Sequence, residues 1–335
     1  MKKMISRSEI KGDKRLALVL GKMEKGCELC FPGLKAVIFV TGICGDNCYY
    51  CPISKDRFGK DLIYINEEKV SSLEEVTLEI ERQGAMGASL TGGDPLTKFP
   101  RTLKIIKMLK DRFGKEFHIH LYTSGRYATP DVLVSLWKAG LDEIRFHPVK
   151  EEYKKAIEYA SKLTNMRVGA EIPIAKGLED WAIKVINDVE KYGGSFVNLD
   201  EMEFVEPNAS ALISRGLNED KRRPFTAKGS IEAAMKVLEW AKLNSNIYVH
   251  FCPASFKDSV QTKNRFIRLA KNDKRWYEEI TSYGTVIWGE VNINDKIIRF
   301  NPKNMNLYKG YSVKILESHP TRSRIPIISE ETIDI

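Results

Sequence analysis

Residues 34–52 read Leu34-Lys-Ala-Val-Ile-Phe-Val-Thr41-Gly-Ile-Cys44-Gly-Asp-Asn-Cys48-Tyr-Tyr-Cys51-Pro52. The first eight are an almost continuous apolar run, the pattern of a strand buried on both faces of a parallel sheet. A loop with three cysteines at the spacing Cys-x3-Cys-x2-Cys follows at once. In a chain of 335 residues with six cysteines, that spacing arises by chance roughly 0.002 times. Three thiolates on one tight loop can hold three irons of a [4Fe–4S] cube, and the missing fourth leaves one iron open to a small ligand. A zinc ion would need a fourth ligand borrowed from elsewhere, because the loop offers none.

Outward from this stretch the chain alternates strand and helix. Apolar runs and their punctuation predict strands over 34–41, 88–91, 117–122, 143–146, 167–172, 196–205 and 247–251. Helical spacing and glycine stops predict helices over 66–83, 103–113, 130–139, 151–163, 179–191 and 230–243. Right-handed crossovers then force a parallel sheet with helices outside, a partial (β/α)6–7 barrel of the TIM-like kind. No strand is followed by GxGxxG or a P-loop. Beyond about residue 280 the period changes to two, over 285–291, 297–300 and 311–316. The expected domains are an N-terminal extension with a CxxC over 1–33, the partial barrel over 34–280, and a small β-rich C-terminal module over 281–335.

The composition is 43% hydrophobic and 29% charged, which supports a sizeable core and excludes wholesale disorder. The longest apolar stretches are strand-sized, far from the roughly 18 residues of a membrane span, and the apolar run at 16–20 is too short for a signal peptide. A cytoplasmic protein is expected. The net charge of +8 tilts the surface towards an anionic partner such as tRNA. The basic residues at 257–274 sharpen that tilt.

The loop Cys44, Cys48, Cys51, with Tyr50 as the aromatic residue before the last cysteine, resembles the signature of the radical S-adenosylmethionine (SAM) superfamily. Within it the chain looks like the largely archaeal group related to pyruvate formate-lyase activating enzymes. The resemblance covers roughly residues 34 to 255. It implies that the cluster binds SAM through its open iron and that one electron cleaves SAM to a 5′-deoxyadenosyl radical, which takes a hydrogen atom from substrate. A reductant such as ferredoxin or flavodoxin is then a required partner. Gly92-Gly93-Asp94-Pro95, after the second strand, resembles the family's GGEP motif with Asp94 in place of Glu. There glycines let the main chain approach the ligand closely. Ser124 falls in a segment like the one that faces SAM. By position, Glu171 at the end of the fifth strand is expected at the ribose hydroxyls. Arg145 on the fourth is expected at the SAM carboxylate, with a structural ion pair between the two as the alternative.

Cys27, Cys30 and Cys252 remain, with His250 two residues before Cys252. They read as a second cluster or as a Cys3His zinc site. The alternative is a small CxxC and an unrelated core cysteine. The CxxC precedes the first strand and Cys252 follows the last, so the expectation is that the N-terminal segment crosses the barrel mouth. His147, closing the fourth strand, and Asp200, in an unusually acidic sixth strand, are expected substrate contacts. His118 and His120 share a strand face and read as hydrogen-bonded core.

Two substrate classes stay open: RNA, which the positive charge suggests, and a protein, peptide or metabolite. A non-enzymatic iron–sulfur electron carrier is the third reading, disfavoured because it needs no Gly-Gly-Asp-Pro turn.

Overall fold

The computed structural model describes residues 9–335. In chain order the elements are β1 (Ile10–Asp13), β2 (Ala17–Leu20), α1 (Lys25–Glu28), β3 (Lys35–Thr41), β4 (Ile63–Ile65), β5 (Glu68–Val70), α2 (Leu73–Gln83), β6 (Gly87–Gly92), α3 (Phe99–Phe113), β7 (His118–Thr123), α4 (Pro130–Lys138) and β8 (Glu143–Phe146). There follow α5 (Lys155–Leu163), β9 (Arg167–Ile174), α6 (Glu179–Lys191), β10 (Phe196–Glu201), α7 (Ala209–Ile213), α8 (Ser230–Asn244), β11 (Tyr248–Cys252), α9 (Ala254–Phe256) and α10 (Lys263–Asp273). Last come β12 (Glu279–Ile280), β13 (Val286–Ile293), β14 (Lys296–Phe300), β15 (Ser312–Ser318) and β16 (Ile327–Asp334).

Seven parallel strands run in the order β3-β6-β7-β8-β9-β10-β11, joined by helices on the outside. This is the expected partial barrel. Two antiparallel additions escape sequence reading. The hairpin β1–β2 pairs with β11, and β4–β5 with β3. The stretch at 66–70, predicted as helix, instead turns at Asn66, with φ at +54°, and forms β5. The helix begins only at its Ser72 capping box, in which Ser72 and Glu75 each satisfy the other's backbone amide.

The outward faces of the strands carry the core. Ile38, Leu90, Leu121, Ile144, Ile172, Leu199 and Phe251 are buried against Ile80, Ile105, Ile106, Leu136, Ile186 and Val237 of the helices. The inward faces carry Lys35, His118, His120, Tyr122, Arg145, Glu171, Asn198, Asp200 and His250. An ordinary barrel fills that space with branched aliphatic side chains.

The segment between β2 and β3 does not cross the barrel mouth. Strand β2 runs antiparallel to β11 and ends at Leu20, opposite Val249 near the start of β11. The chain therefore emerges at the opposite end of the barrel from the cysteine loop. From there α1 lies under the floor, where a Cβ on Gly26 would meet the His120 ring at 2.5 Å and Arg145 Nη2 at 2.8 Å. Cys27 and Cys30 thus enter the interior from below.

Strands β12, β13, β15 and β16 form a separate antiparallel sheet, with β14 paired to β13. Two contacts tie it to the barrel: Arg82 Nη2 donates to the Pro320 carbonyl at 2.9 Å, and Arg322 pairs with Glu75 at 3.0 Å. No helix among the described residues is long and apolar enough to cross a membrane.

Candidate active site

A cavity of about 440 Å³ opens at the C-terminal ends of the parallel strands and reaches down to the floor. That is the position and size of a small-molecule site. Cys44, Cys48 and Cys51 line its mouth as half-buried free thiols. The Cys51 amide donates to the Cys48 carbonyl at 3.0 Å, which fixes the last two in one turn. Burial pushes the Cys48 thiol up to about 11.

Backbone contacts hold this loop from one side. The Gly93 amide donates to Thr41 O at 2.8 Å, and the Asp94 amide to Ile43 O at 2.9 Å. A Cβ on Gly92, whose φ is +136°, would sit 2.2 Å from Thr41 O, and one on Gly93 2.3 Å from Ile43 O. Only glycine permits that approach. Asp94 does not face the cavity. Its buried carboxylate accepts from Thr123 Oγ1 at 2.9 Å, from Ser124 N and Oγ at 3.0 Å, and from Leu96 N at 2.9 Å. Asp94 therefore pins β6 to the end of β7. Pro95 is buried behind the turn, while Gly92, Gly93 and Ser124 line the cavity.

From the other side His147 and Asn208 hold Tyr50. His147 Nδ1 lies 2.9 Å from the carbonyl of Glu171, so that nitrogen carries the proton. Nε2 then accepts the Tyr50 hydroxyl proton at 2.7 Å. Burial lowers the His147 pKa and keeps the ring neutral. Asn208 Nδ2 donates to the Tyr50 carbonyl at 3.0 Å. The expected substrate contact His147 thus positions the cysteine loop, although its ring also reaches the cavity wall.

Below the loop, Arg145 and Glu171 face each other. Arg145 Nη1 lies 2.7 Å from Glu171 Oε2, and Nε 2.5 Å from Glu143 Oε1. Asn198 Nδ2 donates to Glu171 at 2.8 Å. Burial alone raises the Glu171 carboxyl, but Arg145 and Asn198 outweigh it and hold it at about 2. Glu171 is not at the end of its strand, because β9 continues to Ile174. Its carbonyl points towards β8. Pro173 points the same way, past the last β8 pairing at Phe146 and Ala170, where no ladder donor is required. Glu171 is therefore one layer deeper than expected, while Arg145 lies on the fourth parallel strand as expected.

Asp200 also lines the cavity, 3.6 Å from Lys257 Nζ, which lies 2.8 Å from Glu203. Burial and the Glu171 charge raise the Asp200 carboxyl to about 7. The acidic stretch of β10 is mostly not a solvated face. Glu201 is buried against Arg223 at 2.5 and 2.6 Å.

The basic stretch at 257–274 is not a free cationic face either. Lys257 turns into the cavity, buried Arg265 pairs with Glu67, and Arg268 donates to the Gln83 and Gly84 carbonyls at 3.2 and 3.1 Å. His118 and His120, with Glu143, are the set among the described residues whose ligand atoms lie within 4.8 Å of one another. Arg145 already donates to that carboxylate, which leaves the cluster an ion-paired floor.

Cys27, Cys30, His250 and Cys252 line the same cavity. Burial pushes the Cys27 thiol up to about 12 and lowers the His250 pKa to about 4. Sequence reading missed Asp46, Lys35, Asn198 and Asn208. Asp46 accepts the Tyr153 hydroxyl at 3.1 Å and lines the mouth beside the cysteines. The signal for Lys35 and Asn198 was available: each is a polar residue at an inward period-two position of a strand.

The donor set suits an iron–sulfur cube. Three half-buried thiols converge on one cavity beside a glycine cradle.

Residues 38–157 match the family described as the radical SAM superfamily. A protein of Methanocaldococcus jannaschii with the provisional name glycyl-radical enzyme activating enzyme is 35% identical over 92% of this chain and 94% of its own length. Among solved structures, coproporphyrinogen III oxidase of Escherichia coli, a radical SAM enzyme, aligns with 90% of this chain and 71% of its own at 9% identity and TM-score 0.40. A radical SAM methyltransferase of Kitasatospora setae aligns with 86% and 60%, at 11% identity and TM-score 0.39. Those two likenesses are too distant to bear on this site.

Proposed function

The chain belongs to the radical SAM superfamily, in the group related to pyruvate formate-lyase activating enzymes, and on that footing we propose that it removes a hydrogen atom from a protein or peptide substrate. When bound, a [4Fe–4S] cluster and SAM supply, on receipt of one electron from a reductant, methionine and a 5′-deoxyadenosyl radical whose carbon takes that hydrogen. In this proposal Cys44, Cys48 and Cys51 hold the cluster. Gly92 and Gly93 expose main-chain groups to the SAM amino group, and Ser124 and Asp46 border the same pocket. Tyr50 and His147 fix the loop. Arg145 and Glu171, already paired, wall the pocket below and exclude bulk water from the radical.

The observation that carries the substrate class is the full-length identity to a relative whose name describes an activating enzyme. RNA is not carried forward, because three of the six basic residues at 257–274 that suggested it are spent on internal contacts. The test adds extract fractions of the source cells to the reconstituted enzyme with SAM and dithionite. Protein fractions are expected to stimulate 5′-deoxyadenosine formation in a protease-sensitive, ribonuclease-resistant manner. Stimulation lost on ribonuclease treatment but not on protease treatment would replace this reading with RNA.

A further inference from the structure

The radical loop accounts for three cysteines and leaves Cys27, Cys30 and Cys252. Cys27 and Cys30 are buried on and just after α1, beneath the barrel. Cys252 ends β11, with His250 two residues before it on the same inward face. All four line the cavity.

Two neighbours are anomalous for an ordinary core. His250 is 5% exposed, and neither ring nitrogen makes a hydrogen bond. Lys35 is 7% exposed, and its ammonium hydrogen-bonds the Cys30 thiol rather than a carboxylate. An unsatisfied buried imidazole and a buried ammonium without a carboxylate are both unfavourable unless something between them compensates. Asn198 Nδ2, 3.5 Å from Cys27 Sγ, points a donor at sulfur in the same place.

One group answers the Asn198 donor, the Lys35 ammonium and one nitrogen of the His250 ring. A cube held by three thiolates is a net anion, accepts N–H···S hydrogen bonds and takes an imidazole at its remaining iron. We propose that Cys27, Cys30, Cys252 and His250 hold a second [4Fe–4S] cluster inside the barrel, with Lys35 as its counter-ion and Asn198 as a donor to the Cys27 sulfur. The site is independent of the radical loop.

The test reconstitutes the full chain anaerobically with iron and sulfide. The wild type is expected to hold about eight irons and each of two triple variants about four. One triple changes Cys44, Cys48 and Cys51 to Ala, the other Cys27, Cys30 and Cys252. In the reduced wild type, SAM should alter the electron paramagnetic resonance signal of one cluster and leave the other unchanged. That readout needs no variant and so survives a misfolded one. Lys35→Met should shift the potential of the SAM-insensitive cluster to more negative values and leave the other in place. About four irons in the wild type, or zinc taken up in place of iron, would overturn the second cluster. So would full iron in a Cys27/Cys30/Cys252 variant shown folded by circular dichroism. All three outcomes leave the radical loop standing. Failure of the loop instead appears as a Cys44/Cys48/Cys51 variant that keeps every iron.

Discussion

Ile144 and Arg145 are neighbours on β8, both almost fully buried, and they face opposite worlds. Ile144 points outward into an aliphatic layer shared with the helices. Arg145 points inward, between two carboxylates and a tyrosine. The outer face stabilises the fold by removing apolar area from water, which is non-directional and tolerant of small changes. The inner face is held by charges whose burial is favourable only while every partner is present. The stability of this barrel lives on one face of its strands and its chemistry on the other.

The largest expected effect therefore follows an inward change. Arg145→Met should lower unfolding stability by about 3–5 kcal/mol, because Glu143 and Glu171 lose their common cation. Denaturant unfolding under anaerobic conditions measures it, and a loss below about 1 kcal/mol would break the contrast. On the outward side, Ile144→Val should cost about 0.5–1.5 kcal/mol and leave SAM cleavage unchanged. Impaired cleavage in that variant would mean that the two faces are coupled.

This contrast also sorts what was legible in the sequence. The outer face announces itself, because strand-length apolar runs alternating with helical spacing lead directly to a parallel barrel. The cysteine loop is equally legible, since three thiols at that spacing have little other use. The interior pairings were not. Period-two patterning reveals that Arg145 and Glu171 face inward but not that they meet each other. Nothing local tells that His147 serves Tyr50 across about a hundred residues. The N-terminal hairpin was missed because a four-residue strand such as β1 or β2 carries too little pattern. With it went the correct route of Cys27 and Cys30 beneath the floor.

A smaller change sharpens the picture at the mouth. Tyr50→Phe removes the hydroxyl that His147 Nε2 accepts and should cost about 1 kcal/mol, read as a lower melting temperature of the reconstituted enzyme. An unchanged melting temperature would show that this hydrogen bond does not hold the loop. The smallest effect lies at the loop's base. Asp61 accepts from Arg101 at 2.6 and 3.2 Å, pairs with Lys98 at 3.0 Å and accepts the Thr41 hydroxyl at 3.0 Å. The Arg101 hydrogen bonds, with smaller help from Lys98 and Thr41, hold its carboxyl well below the usual carboxylate range. A depressed folded pKa stabilises above the unfolded value of about 3.9 and is lost as pH falls through the folded one. Asp61→Asn should thus be less stable than wild type near neutrality by at most about 1 kcal/mol, given its partial exposure. The gap should close below about pH 4. A gap independent of pH would remove the ionic explanation.

The most direct test concerns the loop at residues 44–51. Anaerobically reconstituted wild-type protein, given SAM and dithionite, should release 5′-deoxyadenosine and methionine in equal amounts, and Cys48→Ala should release neither above background. Undiminished cleavage by Cys48→Ala, in a protein shown to be folded, would contradict the assignment of this loop and the activity built on it.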